Sequence, residues 1–132
     1  MRRLTEAEAN PITATIVGAA VEVHRTLGPG LLESAYEAAL GHELGLRGLA
    51  FTQQVQVPLR YKEAAQVIAY VADFIVEDAV VLELKAVESS SAAHKRQLLT
   101  YLRLTGCRYG LLLNFGAERM IDGVTRIVDG QA

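Results

Sequence analysis

Three ionisable residues stand inside two consecutive apolar stretches of the chain, and their spacing could support chemistry. Glu83 and Lys85 interrupt the run AVVLELKAV, and Asp73 interrupts the preceding run AYVADFIV. Side chains two residues apart on a strand point to the same face of the sheet, so Glu83 and Lys85 would lie side by side. If the two runs form a hairpin that turns at Glu77-Asp78, Asp73 lies opposite Glu83, because both are equally far from Asp78. The sequence therefore predicts three charges on one patch of sheet.

Two chemical interpretations fit this patch. Unpaired charges on a buried strand are costly, so one interpretation is a structural ion pair of Lys85 with Asp73 or Glu83. In the other, the two carboxylates repel each other and hold a cation between them. One lysine neutralises only one carboxylate. The remaining negative charge predicts a hard ion such as Mg²⁺, which needs few carboxylates and keeps several waters.

Alternating and helical apolar patterns predict the elements that position these charges. Residues 1–10 are expected to form a loose arm, with Asn10-Pro11 as the N-cap and first residue of a helix. The residues Phe51, Val55, Val57, Leu59 and Tyr61 are expected to share one face of a strand. Asp122-Gly123 is expected to make a bulge or turn in the last strand. Helices are predicted at 11–27, 31–47 and 92–105, and strands at 51–61, 66–76, 80–87, 109–115 and 119–128.

The order of these elements, α-α-β-β-β-α-β-β, indicates the fold class. Three consecutive strands are expected to form an antiparallel meander. The third helix can then carry the chain back to a fourth strand parallel to the third. The sequence predicts an α/β fold, a mixed sheet flanked by helices, in a single domain over residues 1–132.

Composition excludes several classes of protein. No run of 18 or more apolar residues is present, and the N-terminal residues lack the apolar segment of a secretory signal. A membrane partner is therefore not expected. The single cysteine, Cys107, fits a reducing cytoplasm, and with three histidines it leaves little for a zinc site. A net charge of −2 argues against a tight non-specific binder of nucleic acid, but less against a metal enzyme.

A sequence motif leads to a family resemblance. The residues Gly30, Glu33 and Tyr36 form G-x-x-E-x-x-Y. With it, the chain resembles the small bacterial GxxExxY proteins of the PD-(D/E)XK nuclease-like superfamily, from about residue 12 to residue 128. The other stretches that carry the resemblance are ADFIVED, VVLELKAVE, HKRQLLTYLRLTG and GLLLNFG. The resemblance implies a restriction-endonuclease-like core.

The resemblance also implies roles for the charged patch. Asp73 matches the first acid of the superfamily, and Glu83 and Lys85 match its E-x-K. Asp73 and Glu83, with the Leu84 carbonyl, would bind Mg²⁺ or Mn²⁺. Glu33 would add a ligand or support a second ion, although it could equally be a surface acid. Lys85 would orient the attacking water or stabilise charge on the phosphate.

Further residues are implied around the patch. Gln97 and Tyr101 match the Q-x-x-x-Y of exonuclease-like members and would position the phosphate or its waters. His94, Lys95 and Tyr36 are the candidates for substrate contact. Each has a simpler interpretation: His94 flanks a helix start, Lys95 is solvated, and Tyr36 is a core residue with a hydrogen-bonded hydroxyl.

Two functions from different classes follow. The first is a metal-dependent nuclease that hydrolyses nucleic acid, with DNA as the favoured substrate. The second is a non-catalytic module that binds nucleic acid or protein and keeps the nuclease fold. A chain of 132 residues has little surface for gripping DNA, so an active form is expected to need a homodimer or a protein partner.

Overall fold

A mixed sheet lies between helices on its two faces. The structure, a computed structural model, describes residues 1–64 and 67–130. Within them the helices are α1 (Glu6–Leu27), α2 (Glu33–Leu46) and α3 (Ala92–Thr105). The strands are β1 (Phe51–Leu59), β2 (Val67–Val76), β3 (Val80–Lys85), β4 (Tyr109–Asn114) and β5 (Val124–Val128). Ala65 and Gln66, predicted as the end of a turn and the start of the second strand, lie outside the described residues.

The strand order confirms the predicted fold class. The five strands follow the order β1-β2-β3-β4-β5. The pairs β1–β2, β2–β3 and β4–β5 are antiparallel, and β3–β4 is parallel across the α3 connection. Glu77 and Asp78 form the β2–β3 turn with φ of 53° and 55°. Two consecutive left-handed residues are typical of the tight hairpin turns that match strand twist.

The two faces of the sheet bury separate apolar clusters. Strands β3 and β4 are covered on both faces, which explains their apolar character. The cluster under α1 and α2, here called the α1/α2 cluster, includes Ile16, Tyr36, Leu40, Leu44, Phe74, Leu82, Leu84, Leu111 and Phe115. The cluster under α3, here called the α3 cluster, includes Val57, Ala72, Ile75, Val81, Leu98, Tyr101, Leu102 and Leu112.

The N-terminal segment differs from the expectation of a loose arm, which is wrong from Leu4 onward. Helix α1 begins at Glu6, and Thr5 caps it through a reciprocal pair of hydrogen bonds with Glu8. Leu4 is buried in the α1/α2 cluster. The Arg2 guanidinium donates to the Glu77 carbonyl. A capping box and one buried leucine thus start the helix earlier than the Asn10-Pro11 signal.

Strand β1 does not present one continuous apolar face. Phe51 packs against the α1/α2 cluster, whereas Val55 packs against the α3 cluster on the other side. Between them Gln54 has φ of 51°. A left-handed residue costs roughly 1–2 kcal/mol, and here it reverses which side chains face which layer. The predicted single stripe from Phe51 to Tyr61 is therefore wrong.

The last strand is shorter than predicted. Residues Met120–Gly123 form a single 3₁₀ turn, and β5 starts only at Val124. A Cβ at Gly123 would lie 2.3 Å from the Asn114 carbonyl oxygen, so the chain passes too close to β4 for any side chain. The Asp122-Gly123 turn is confirmed, but it precedes the strand.

Candidate active site

The predicted meeting of Asp73 and Glu83 is present in the structure. Phe74 pairs with Leu82 in the β2–β3 ladder. Beyond this pair, hydrogen bonds from backbone amides to carboxylate side chains connect the two strands. The Asp73 N–H donates to Glu83 Oε1 at 3.1 Å, and the Leu84 N–H donates to Asp73 Oδ2 at 2.8 Å. Each carboxylate is therefore held by a backbone amide of the neighbouring strand.

Burial makes both carboxylates difficult to ionise. Glu83 is only 5% exposed. Its burial, with the neighbouring charge of Asp73, raises the pKa of Glu83 to about 8. Burial likewise raises the pKa of Asp73, and the charges of Glu37 and Glu33 raise it further. At neutral pH, burial and mutual repulsion therefore favour a proton on the metal-free pair over two ionised carboxylates.

Lys85 lies at the end of β3, beside these acids. Its side chain is half-buried, and its charge lowers the pKa of both Asp73 and Glu83. Within residues 1–64 and 67–130, however, no ion pair joins its ammonium to a carboxylate within 4.0 Å. Lys85 thus stands near the acids without forming the direct ion pair that one interpretation of the sequence required.

Helix α2 brings two more carboxylates towards the pair. Glu33, the first residue of α2, is exposed, and its charge raises the pKa of Asp73 and Glu83. Glu37, one turn further, raises the pKa of Asp73 more than Glu33 does. Glu37 was not among the predicted residues. The sequence signal available for Glu37 is its spacing of four from Glu33, which places both residues on one helix face.

Gln97 and Tyr101 connect α3 to the strand that carries Asp73. Gln97 Nε2 donates to the Tyr101 hydroxyl at 3.1 Å, and that hydroxyl donates to the Val71 carbonyl at 3.4 Å. Burial and the charge of Glu83 raise the pKa of Tyr101 to about 12. Tyr101 therefore stays protonated and acts as a donor, not as a base. The Q-x-x-x-Y residues form one hydrogen-bonded unit beside the acids.

The three residues predicted to contact substrate lie in different environments. Tyr36 is fully buried, and its hydroxyl donates to the Gly28 carbonyl and accepts from the Leu31 N–H. It holds the α1–α2 loop, which favours the interpretation of Tyr36 as a core residue with a hydrogen-bonded hydroxyl. His94 Nδ1 accepts from the Ser91 N–H and so belongs to the α3 capping box. Lys95 is exposed on the first turns of α3.

The carboxylate pair suits a hard cation with few protein ligands. No three His, Cys, Asp or Glu side chains of the described residues converge on a point that could hold a metal ion. Asp73 and Glu83 nevertheless each use one oxygen in the hydrogen bonds above, and neither Asp73 Oδ1 nor Glu83 Oε2 bonds to a described residue. Mg²⁺ commonly takes one or two carboxylates and completes its shell with water and substrate oxygens, so the two free oxygens fit such an ion.

A family model matches most of the chain. The family model described as the PD-(D/E)XK nuclease superfamily matches residues 10–127. The chain belongs to this superfamily. The match spans Asp73, Glu83 and Lys85, and it indicates a nuclease-type function. No curated protein and no solved structure matches the chain. Among the helices of the described residues, none has the length and apolar character needed to cross a membrane.

Proposed function

We propose that this PD-(D/E)XK protein is a Mg²⁺- or Mn²⁺-dependent nuclease of the GxxExxY type, which hydrolyses phosphodiester bonds in nucleic acid, with DNA as its favoured substrate. The observation that carries the proposal is the reciprocal contact of Asp73 and Glu83 beside Lys85. A bound cation would replace the proton that otherwise offsets the repulsion of these two buried carboxylates, and each of them offers one oxygen without a partner among the described residues.

The residues of the site divide the work. Asp73 Oδ1, Glu83 Oε2 and the Leu84 carbonyl would hold the ion, with Glu33 supporting an outer water or a second ion. The ion, when bound, polarises the phosphate and lowers the pKa of its water. Lys85, not bound within 4.0 Å to any described carboxylate, is free to orient the attacking water or to stabilise charge on the phosphate.

In this proposal, residues of helix α3 contact the substrate. Gln97 and Tyr101 would position the phosphate or its waters. Lys95 and Arg96 are exposed at the start of α3, and neither takes part in an ion pair with the described residues. The first turn of α3 contains no acidic residue. Cations at a helix N-terminus oppose the helix dipole, so an anionic partner such as a phosphate backbone would relieve them.

A binding module that keeps the fold is the second candidate. The observation in its favour is that one oxygen of each carboxylate already accepts a backbone N–H, as a purely structural acid would. In that case Lys85 only offsets the buried negative charge. The two candidates therefore make opposite predictions for the removal of this lysine.

The test is Lys85→Met, assayed on single- and double-stranded DNA and RNA with Mg²⁺ and with Mn²⁺. The nuclease proposal expects a folded variant that cleaves about a hundredfold or more slowly, the size of one positioned electrostatic group. Arg119→Met is the matched control, since Arg119 is an exposed cation without an ion pair in the described residues. It should cleave at the wild-type rate.

Two outcomes would contradict the nuclease proposal or its mechanism. If the wild type cuts none of these substrates and Lys85→Met fails to fold, the binding module is the better description. If the wild type cuts and a folded Lys85→Met protein cuts equally well, the role given to Lys85 is wrong.

A further inference from the structure

Gln54 has a left-handed backbone conformation although it lies inside a strand. The other described non-glycine residues with positive φ, Lys62, Glu77 and Asp78, lie in turns. Gln54 lies within β1 with φ of 51°. Strained backbone of this kind persists where surrounding contacts fix it, and such positions cluster at functional sites.

The position of Gln54 places it beside Asp73. Gln53 pairs with Phe74 and Val55 pairs with Ala72, so Gln54 stands opposite Asp73. Gln54 and Asp73 themselves are not paired in the described ladder. The amide of Asp73 instead donates to the side chain of Glu83 on the other neighbouring strand.

At Gln54 in β1 and at the opposite residue Asp73 in β2, the side chains on either side switch from one face of the sheet to the other. Phe74 faces the α1/α2 cluster, whereas Ala72, two residues earlier, packs in the α3 cluster. In a regular strand these two side chains would share a face. The backbone of Asp73 therefore has to twist, and the conformation of Gln54 accompanies that twist.

Glu37 of α2 is the group that fixes this part of β1. Gln54 Nε2 donates to Glu37 Oε1 at 2.8 Å and to Oε2 at 2.9 Å. Gln53 Nε2 donates to Glu37 Oε2 at 3.3 Å. One turn along α2, a Cβ at Gly41 would lie 3.2 Å from Gln53 Oε1, so a glycine leaves room for this side chain. Two consecutive residues of β1 are thereby attached to one face of α2.

We propose that Glu37 is a positioning residue for Asp73, acting through the left-handed conformation of Gln54. The carboxylate of Glu37 fixes the amide of Gln54, Gln54 fixes the twist opposite Asp73, and the twist directs the Asp73 carboxylate to the Leu84 N–H. The consequence for metal binding and cleavage rests on the proposed nuclease function, whereas the structural effect does not.

Glu37 is better suited to this role than to direct ligation of a metal ion. Both of its oxygens already accept amide hydrogens from β1. Those amides are neutral, and the charge of Glu37 raises the pKa of Asp73. A cation bound at Asp73 would benefit from the same nearby negative charge.

The first experiment measures the structural effect in metal-free protein. The amide resonances of Asp73 and Leu84, in ¹H–¹⁵N NMR spectra, report the two hydrogen bonds that hold the carboxylate pair. Glu37→Ala should shift both resonances, and Glu37→Gln, which keeps a carbonyl acceptor, should shift them less. Glu43→Ala is the control, because Glu43 lies on the same helix and pairs with Arg47 instead. It should leave both resonances in place.

A second variant tests the route through Gln54. Glycine adopts positive φ without steric cost. In the background of Glu37→Ala, the change Gln54→Gly should therefore return the Asp73 and Leu84 resonances towards their wild-type positions, although it restores no contact with α2. A role of Glu37 in general stability alone would not be rescued in this way.

The functional measurement uses Mn²⁺ affinity and cleavage rate. Loss of a residue that orients a metal ligand typically costs roughly ten- to hundredfold in affinity or activity. Glu37→Ala should show a loss of this size. The double variant that adds Gln54→Gly should recover part of it, and Glu43→Ala should show no loss.

The outcomes separate this proposal from the proposed function. Unchanged Asp73 and Leu84 resonances in Glu37→Ala, or no recovery in the double variant, would overturn the positioning role. If the resonances follow the expected pattern while the wild type neither binds Mn²⁺ nor cuts nucleic acid, Glu37 positions Asp73 as proposed and the nuclease function fails.

Discussion

Raising the pH of the metal-free protein should destabilise it, and Glu83 should account for the effect. An ordinary glutamate has a pKa of 4.5, whereas burial and the charge of Asp73 raise the pKa of Glu83 to about 8. Between these values the folded protein keeps a proton that the unfolded chain has released. The stability contributed by protonated Glu83 is therefore fully present below pH 4.5 and is lost as the pH rises to about 8.

The size of the effect follows from the two pKa values. Each tenfold change in proton affinity corresponds to about 1.4 kcal/mol, and most of the interval lies between pH 5 and pH 9. The free energy of unfolding should fall by roughly 3–5 kcal/mol across this range, a large part of the stability of a small domain. The pKa values of Glu8 and Glu22 are lowered by their hydrogen bonds, so these groups titrate below this window.

The assay is urea unfolding from pH 5 to pH 9 in the presence of EDTA. Glu83→Gln keeps an oxygen for the Asp73 N–H and removes the titration. This variant should match the wild type at pH 5, exceed it by several kcal/mol at pH 9 and lose most of the pH dependence. Glu88→Gln, at an exposed position after β3, is the control and should follow the wild type. Equal slopes for the wild type and Glu83→Gln would refute the assignment of a proton to Glu83.

Two further predictions concern the site and its support. Mg²⁺ or Mn²⁺ at a hundred times its Kd should raise Tm by roughly 10 °C in thermal unfolding, because binding stabilises the folded state by about 2.7 kcal/mol; Asp73→Asn and Glu83→Gln should each abolish the shift, and a shift that survives both would show that these carboxylates are not ligands. Tyr36→Phe should lower the free energy of unfolding by about 1–3 kcal/mol, because the Gly28 carbonyl and the Leu31 N–H lose their partner, without changing the metal-induced shift. Tyr61→Phe, at an exposed tyrosine, is its control.

Local sequence signals were sufficient to predict much of the fold and the proximity of Asp73 and Glu83. Helix α3 begins and ends where predicted, because Ser91 caps its start and Gly106, left-handed with φ of 81°, ends it. The short turn at Glu77-Asp78 fixes the register, and the register alone places Asp73 beside Glu83. Where caps and short turns are encoded locally, the sequence predicts the element boundaries and the strand pairing correctly.

Other features depend on contacts that are distant in sequence. Two start signals compete for α1, the Thr5–Glu8 capping box and Asn10-Pro11, and the earlier one prevails because Leu4 is buried in the α1/α2 cluster. The importance of Glu37 depends on Gln54, whose left-handed conformation no sequence pattern announces. That the Lys85 ammonium lies more than 4.0 Å from every carboxylate in the described part of the chain is likewise a matter of side-chain placement, which spacing on a strand does not determine.

The α3 crossover also has a consequence for the kinetics of folding. The antiparallel β2–β3 hairpin closes through only three residues between the paired Val76 and Val80, so its loop-closure entropy is small. Strand β4 can pair with β3 only after the whole of α3 has been traversed, and such non-local parallel pairing is slow. Until then β3 exposes an apolar edge that can associate with other chains. We therefore expect refolding yield to fall as protein concentration rises, and the Ser91 cap of α3 to influence that yield more than its small contribution to stability would suggest.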